Sequence, residues 1–318
     1  MQEIEERGVI KNLDKIDKTL LEQVTGVEGE FEGAYNIRKN GKGIERKITP
    51  NINIVTKEDV SGIDVYVKEN TKLEFVHIPV IITESGLTDV VYNDFYIGKN
   101  ANVIIIAGCG IHNDHCDASR HDGIHRFFLE EGAKVKYYEK HYGEGEGTGK
   151  RILNPITEVT LKEGSSLEMD SVQIKGVDST IRTTKGNLIG DNTNFVITEK
   201  IMTHGEQMAK TIFEVNLNGQ NASTHVTSRS VATGNSKQIF DSKVYGNSAC
   251  FGHVECDAII KDHATVTSTP EITANHVDAN LIHEAAIGKI AGDQLIKLMT
   301  LGLTEEQAEQ EIIKGFLK

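Results

Sequence analysis

Tryptophan is absent from this 318-residue chain, proline occurs 4 times, and aromatic side chains make up only 6%. A groove that binds polysaccharide by ring stacking is therefore poorly supported. No apolar run approaches the roughly 20 residues that a membrane span needs. The charged start, MQEIEERGVIKNL, lacks the apolar centre of a signal peptide. These absences predict a cytoplasmic protein, whose 4 cysteines are reduced thiols and not a disulfide framework. Basic residues are outnumbered, 34 against 47 acidic, for a net charge of −13, which argues against a nucleic-acid surface. A nucleotide loop is missing too. GEGEGTGKR has Glu144 where the first glycine of a phosphate loop belongs and Arg151 after the lysine, so it reads as a flexible loop. HEAAI, from His283, lacks the second histidine of a zinc-protease motif, since Ile287 stands there.

What is present is glycine, 30 residues of it, together with short β-branched runs. Ile10, Leu13, Ile16, Leu20 and Val24 predict an amphipathic helix ending before Gly26. Residues 31–50 read as a connector or a short β excursion, with a turn at Asn40-Gly41. From Ile52 a phrase recurs, a Gly or Asn turn followed by an alternating apolar strand, as in KNANVIIIAG, EGAKVKYYEKH and GDNTNFVITEKIM. Its spacing of about 27 to 32 residues is that of stacked repeats. No helical segment is visible between Ile52 and Ile272, which disfavours a Rossmann or TIM fold, and a β-sandwich remains the alternative. The expected fold is mainly β: a right-handed parallel β-helix (β-solenoid) over 51–280, after a helix and connector over 1–50. A helical C-terminal domain over 281–318 follows. There Ile287, Ile290, Leu295, Leu298 and Met299 take helical spacing, and Thr304 with Gln307 forms a capping box for a last helix carrying Phe316.

Thiol and imidazole concentrate in two places. Cys109, His112, His115 and Cys116 have the composition of a metal site in a spacing that matches no zinc pattern, close to His121 and His125. Buried, inert cysteines are an equal reading. Near the end lie Cys250, His253, Cys256, His283 and Glu284. An offset of three places His253 and Cys256 on opposite faces of a strand, so Cys256 should meet a residue from another turn or another subunit. His283 and Glu284 are expected at a strand-to-helix junction.

Several stretches, YNIRKNGKGIERK, SRHDGIHRFFLEEGAKV, QIKGVDSTIRTTKG, GHVECDAI and PEITANHVDANLIHEAAIGKIAGDQLIKLMTLGLTEEQAEQEIIKGFL, resemble the SufB/SufD family of iron–sulfur cluster assembly scaffolds, in their compact form. The resemblance runs from Tyr35 to the end. It implies a parallel β-helix with a helical C-terminal domain, and a scaffold for assembly and transfer of a transient cluster, expected as 4Fe-4S. It implies no enzymatic activity of the chain's own, because ATP hydrolysis would come from a SufC-like ABC ATPase docked on the C-terminal helices through Ile290, Leu295, Leu298, Met299 and Phe316. It further implies a homodimer that hands clusters to apo acceptor proteins, with neither nucleic acid nor membrane as partner. The family's assembly residues fall on Cys256, His283 and Glu284, with Cys250 a second candidate. No family role carries onto Cys109 or Cys116. A purely structural or polysaccharide-acting β-helix is the rival reading.

Overall fold

Alternating apolar residues bury one side of a strand, and residues that tolerate left-handed backbone let the chain turn and begin the next. Here Asn100, Asn192 and Asn221 (φ 54°, 56° and 57°) and Gly132 and Gly164 (φ 68° and 66°) mark such corners. The computed structural model describes residues 13–318. Helix α1 (Lys15–Thr25) precedes two hairpins, β1 (Ala34–Lys39) with β2 (Lys42–Lys47), and β3 (Ile52–Thr56) with β4 (Gly62–Val67). The coils follow as β5 (Lys72–Ile82), β6 (Thr88–Ile97), β7 (Asn102–His112), β8 (Ser119–Leu129), β9 (Lys134–Glu144), β10 (Arg151–Leu153) and β11 (Ile156–Leu161). They continue as β12 (Ser166–Lys175), β13 (Ser179–Leu188), β14 (Asn194–Thr203), β15 (Met208–Leu217) and β16 (Ser223–Ala232). Last come β17 (Lys237–Gly246), β18 (Phe251–Ile260), β19 (Thr265–Ala274) and β20 (Asn280–Gly288), then α2 (Gly292–Met299) and α3 (Glu305–Phe316).

Alternate strands stack into two ten-stranded sheets, giving a parallel β-solenoid of about eight turns. Residues related by 32 positions stack in the early coils, by 29 and then 28 in the later ones. Inside, Phe95 and Phe127 stack at 4.5 Å and Tyr137 meets Phe127 edge-on at 5.0 Å. Outside, an asparagine ladder ties coils together: Asn218 donates to Asn187, Asn247 to Asn218 and Asn275 to Asn247, each at 2.7 Å. At the N-terminal end each sheet finishes in an antiparallel hairpin strand, β2 or β3. At the other end it finishes in a parallel strand, β20 or β19, with both faces largely exposed.

The terminal segments depart in detail from the sequence expectation. Residues 31–50 contain the β1–β2 hairpin, turned by Asn40 and Gly41 at φ 46° and 78°. In α1, Leu20, Leu21 and Val24 are buried but Ile16 is exposed, and Ile10 lies outside the described residues. The helix rests on β7 at Gly108 and Gly110, where a Cβ on Gly110 would come within 3.1 Å of Leu20. The 145–150 loop is pinned to the turn before it, since Gly147 N–H donates to Asn113 O (3.1 Å) and Gly149 N–H to His115 O (2.8 Å). It is not a free loop. Ile287 belongs to β20 and Ile290 precedes α2. Isolated isoleucines fit either period, and pairing with β18 decides for strand.

The capping box of α3 forms as expected, with Thr304 Oγ1 accepting from Gln307 N–H and Gln307 Oε1 from Thr304 N–H. Thr304→Ala should cost about 1 kcal/mol locally. Amide exchange in α3 should then accelerate roughly fivefold while the solenoid's protection stays unchanged.

Candidate functional site

Register decides which side chains can meet. Val254 and Cys256 point inward on β18, and β20 pairs Val254 with His283 and Cys256 with Ala285. Paired residues of parallel strands share a face, so Cys256 and His283 are diagonal neighbours on the inner side of the last two coils. Glu284 pairs with Glu255 and projects outward, where its Oε1 lies 3.7 Å from His253 Nε2. His253 in turn packs edge-on against His225, centroids 4.9 Å apart. Cys256 and His253 therefore do occupy opposite faces. His283 sits within β20 and not at a helix junction, three residues beyond its first residue.

The chemistry of this corner is that of a closed thiol. Cys256 is 2% exposed, and burial pushes its thiol up to about 11, with Ser268 acting in the opposite direction. Burial, then the nearby His253, lowers His283 below the ordinary imidazole range, so at neutral pH it is a neutral ring with lone-pair capacity. Neither of its nitrogens has a hydrogen-bond partner. Behind Cys256 a small cavity is lined by Glu199, Thr211, Ser228 and Gln238. Ser228 and Thr211 donate to Glu199 at 2.9 and 2.8 Å. Cys250 is buried at the same end, beside Gly246 and the corner before β20.

The earlier cluster is dispersed. Cys109 points into the interior of β7, whereas Cys116 is exposed on the following loop, as is His115. His112 is held between Asp114 (2.8 Å) and Glu144 (3.3 Å). These four residues do not form one site. Among the described residues, no three His, Cys, Asp or Glu side chains stand at metal-ligand spacing.

Between the two cysteines runs a buried polar network that strand patterns hide. Arg182 bonds Glu139 and His141 and lies 3.3 Å from Glu199 Oε1, all fully enclosed. Burial alone would raise Glu139, but Arg182, His141 and His125 hold it down to about 2. The HDGIH motif of His121 to His125 was the one legible sign of it.

On the outer surface α2 buries no residue: Met299 is exposed, and Leu295 and Leu298 are half-buried, as are Ile290 and Phe316. Helix α3 is tied to the body by the Lys261–Glu309 ion pair. No helix among the described residues is long and apolar enough to cross a membrane.

Comparison with known proteins places these features in a family. Residues 80–316 match the SufBD core domain of SUF-system iron–sulfur cluster assembly. An iron–sulfur cluster assembly SufBD family protein of Methanocaldococcus jannaschii is 27% identical over 260 residues, 80% of this chain and 79% of the relative. One from Pyrococcus horikoshii is 30% identical over 266 residues, 81% of this chain and 57% of the relative. A second from that organism is 26% identical over 273 residues, 84% and 82%. The chain thus spans little more than half of one of these relatives and about four fifths of the others. With its solenoid, its buried cysteines and this match over most of its length, the chain belongs to the SufBD family of iron–sulfur cluster assembly proteins.

Proposed function

We propose that the chain is a scaffold on which iron and sulfide are assembled into a transient iron–sulfur cluster and passed to apo acceptor proteins. Cys256 supplies the thiolate, His283 an imidazole, and Glu284 a hard oxygen ligand that is readily displaced on transfer. The observation that carries this reading is the inward placement of Cys256 and His283 on the last two coils, inside the matched core. Glu284 faces outward in the single chain, so we assign its contribution to a site completed where two copies meet. A SufC-like ABC ATPase bound to the C-terminal helices, through Ile290, Leu295, Leu298, Met299 and Phe316, would supply the ATP hydrolysis. A thiol 2% exposed needs such an external drive to open.

The test is anaerobic reconstitution with iron and sulfide, followed by absorption and Mössbauer spectroscopy. Wild type should gain a cluster and Cys256→Ala should lose at least about nine tenths of it, a thiolate ligand having no neutral substitute. A cluster that survives Cys256→Ala moves assembly elsewhere. No cluster in wild type, even with the ATPase present, returns the protein to a structural solenoid.

A further inference from the structure

Beneath the segment that joins α1 to β1 lies a histidine with nothing to bond. His77 alternates with the core residues Val76 and Ile78 along β5 and so faces outward, yet it is only 2% exposed. The strap of residues 26–33 covers it. Phe31 stacks on its ring at 4.7 Å, and Phe75 lies nearly parallel to it at 6.1 Å. Neither ring nitrogen has a hydrogen-bond partner, so the imidazole packs as a phenyl ring would. A cation in that place would lose its hydration and gain no counter-charge.

The strap is lightly fastened. Among the described residues, no backbone-to-backbone hydrogen bond ties residues 27–33 to either sheet. Gly26 and Gly33 stand at its two ends with φ of 70° and 82°, and Gly29 lies between them at 95°, so three glycines carry its bends. Phe31 is its one buried residue, and it joins an apolar cluster with Leu20, Leu21, Val24 and Ile81. The ion pair of Lys39 with Asp17, at 2.5 Å, holds α1 to β1 independently of that ring. The strap can therefore lift while the helix stays in place.

No neighbouring charge compensates a proton on the His77 ring. The strap's carboxylates, Glu28, Glu30 and Glu32, are exposed, as is Glu22 on α1. From β1, Tyr35 pairs with His77 and gives its hydroxyl hydrogen to Glu45 Oε1 at 2.8 Å. From β7 the paired residue is Ile106. Burial lowers His77 below the ordinary imidazole range, and only the Glu32 backbone works against it. We propose that residues 26–33 form a proton-released latch, in which Phe31 covers a neutral His77 and lifts when that ring takes a proton from solvent. The closed form gives up its proton more readily than an exposed imidazole does. Closure is therefore complete above about pH 6.5 and weakens as pH falls below it. The latch stands apart from Cys256 and from the assembly reading.

Chymotrypsin cleavage of the full chain after Phe31 reads the open form, because a ring only 5% exposed must lift before the protease can take it. Rates at about pH 7.5 and about pH 5.5 are divided by those of a free peptide spanning 26–34, which removes the protease's own pH dependence. The corrected rate should rise severalfold at the lower pH, about tenfold at most, with the core bond after Phe127 uncut at both. His77→Phe keeps an aromatic ring in the stack and removes the proton acceptor, so its corrected rate should be the same at both pH values. Phe31→Ala supplies a second measure if that variant fails to fold. In it the His77 ring, followed by proton NMR, should titrate close to about 6.5, above its wild-type value. Equal corrected rates in wild type overturn the latch, as does a pH dependence that persists in folded His77→Phe. So does a His77 titration unmoved by Phe31→Ala, or cutting after Phe127 in step with Phe31, which would mean that the whole chain opens. Residues 26–33 are then a fixed connector.

Discussion

Arg182→Ala is expected to destabilise the protein by about 3–5 kcal/mol, the usual cost of stripping one member from a buried ionic network. Arg182 is 3% exposed and neutralises Glu139 on one side and Glu199 on the other. Burial raises Glu199, and Arg182 is the first of the groups that oppose it. Without the guanidinium two carboxyl groups would share one apolar interior, and at least one would have to take up a proton or draw in water. Removing the charges together should be far milder. Arg182→Met combined with Glu139→Gln and Glu199→Gln should recover most of the loss, because no uncompensated ion is left. Urea denaturation of the three proteins, wild type included, measures this. A single Arg182→Ala change costing less than about 1 kcal/mol would show that the interior is wetter than these contacts imply.

Stability should also fall on mild acidification, before ordinary carboxylates titrate. Burial lowers His125 from 6.5 to about 4, and lowers His141 from 6.5 to about 3. Between those values and 6.5 the unfolded chain binds more protons than the folded one, so stability rises with pH across that window. The contribution is complete above about pH 6.5 and is lost as pH falls through 4 and then 3. Glu139, held down to about 2 from 4.5, adds a loss of the same sign below pH 4.5. Glu199 is raised and works the other way, since its folded form takes up a proton first. Because these groups share partners, the expected net loss between pH 7 and 4.5 is roughly 2–5 kcal/mol. Urea midpoints at the two pH values check it, with His141→Gln predicted to flatten the dependence. Equal midpoints would mean that the imidazoles are not held neutral.

The solenoid was legible because its corners and strands use different residues. Asn100, Asn192 and Gly132 stand where the backbone turns left-handed, and runs such as NVIIIAG stand between. Parity along a single strand also placed Cys256 opposite His253. What one strand cannot reveal is its partner. Glu139 and Arg182 look like solvent-side charges until pairing across coils puts both inside, facing each other from different sheets. The repeat shortens from 32 to 28 residues along the chain, so no fixed period would have aligned them. The same limit hid the separation of His283 from Glu284, adjacent in sequence and turned to opposite faces by the pleat. Ile287 was drawn into the wrong element because isolated isoleucines satisfy either period.

The unlike ends of the two sheets bear on how many copies can join. The N-terminal ends finish in strands of reversed direction, β2 and β3, whereas β19 and β20 leave parallel edges with unspent backbone donors and acceptors. If two copies meet through those edges about a two-fold axis, each consumes the other's free end in a self-matching contact. The opposite ends present a different strand direction and cannot repeat that contact. Growth through those edges would therefore terminate at the first step, closing that end of the stack in a pair.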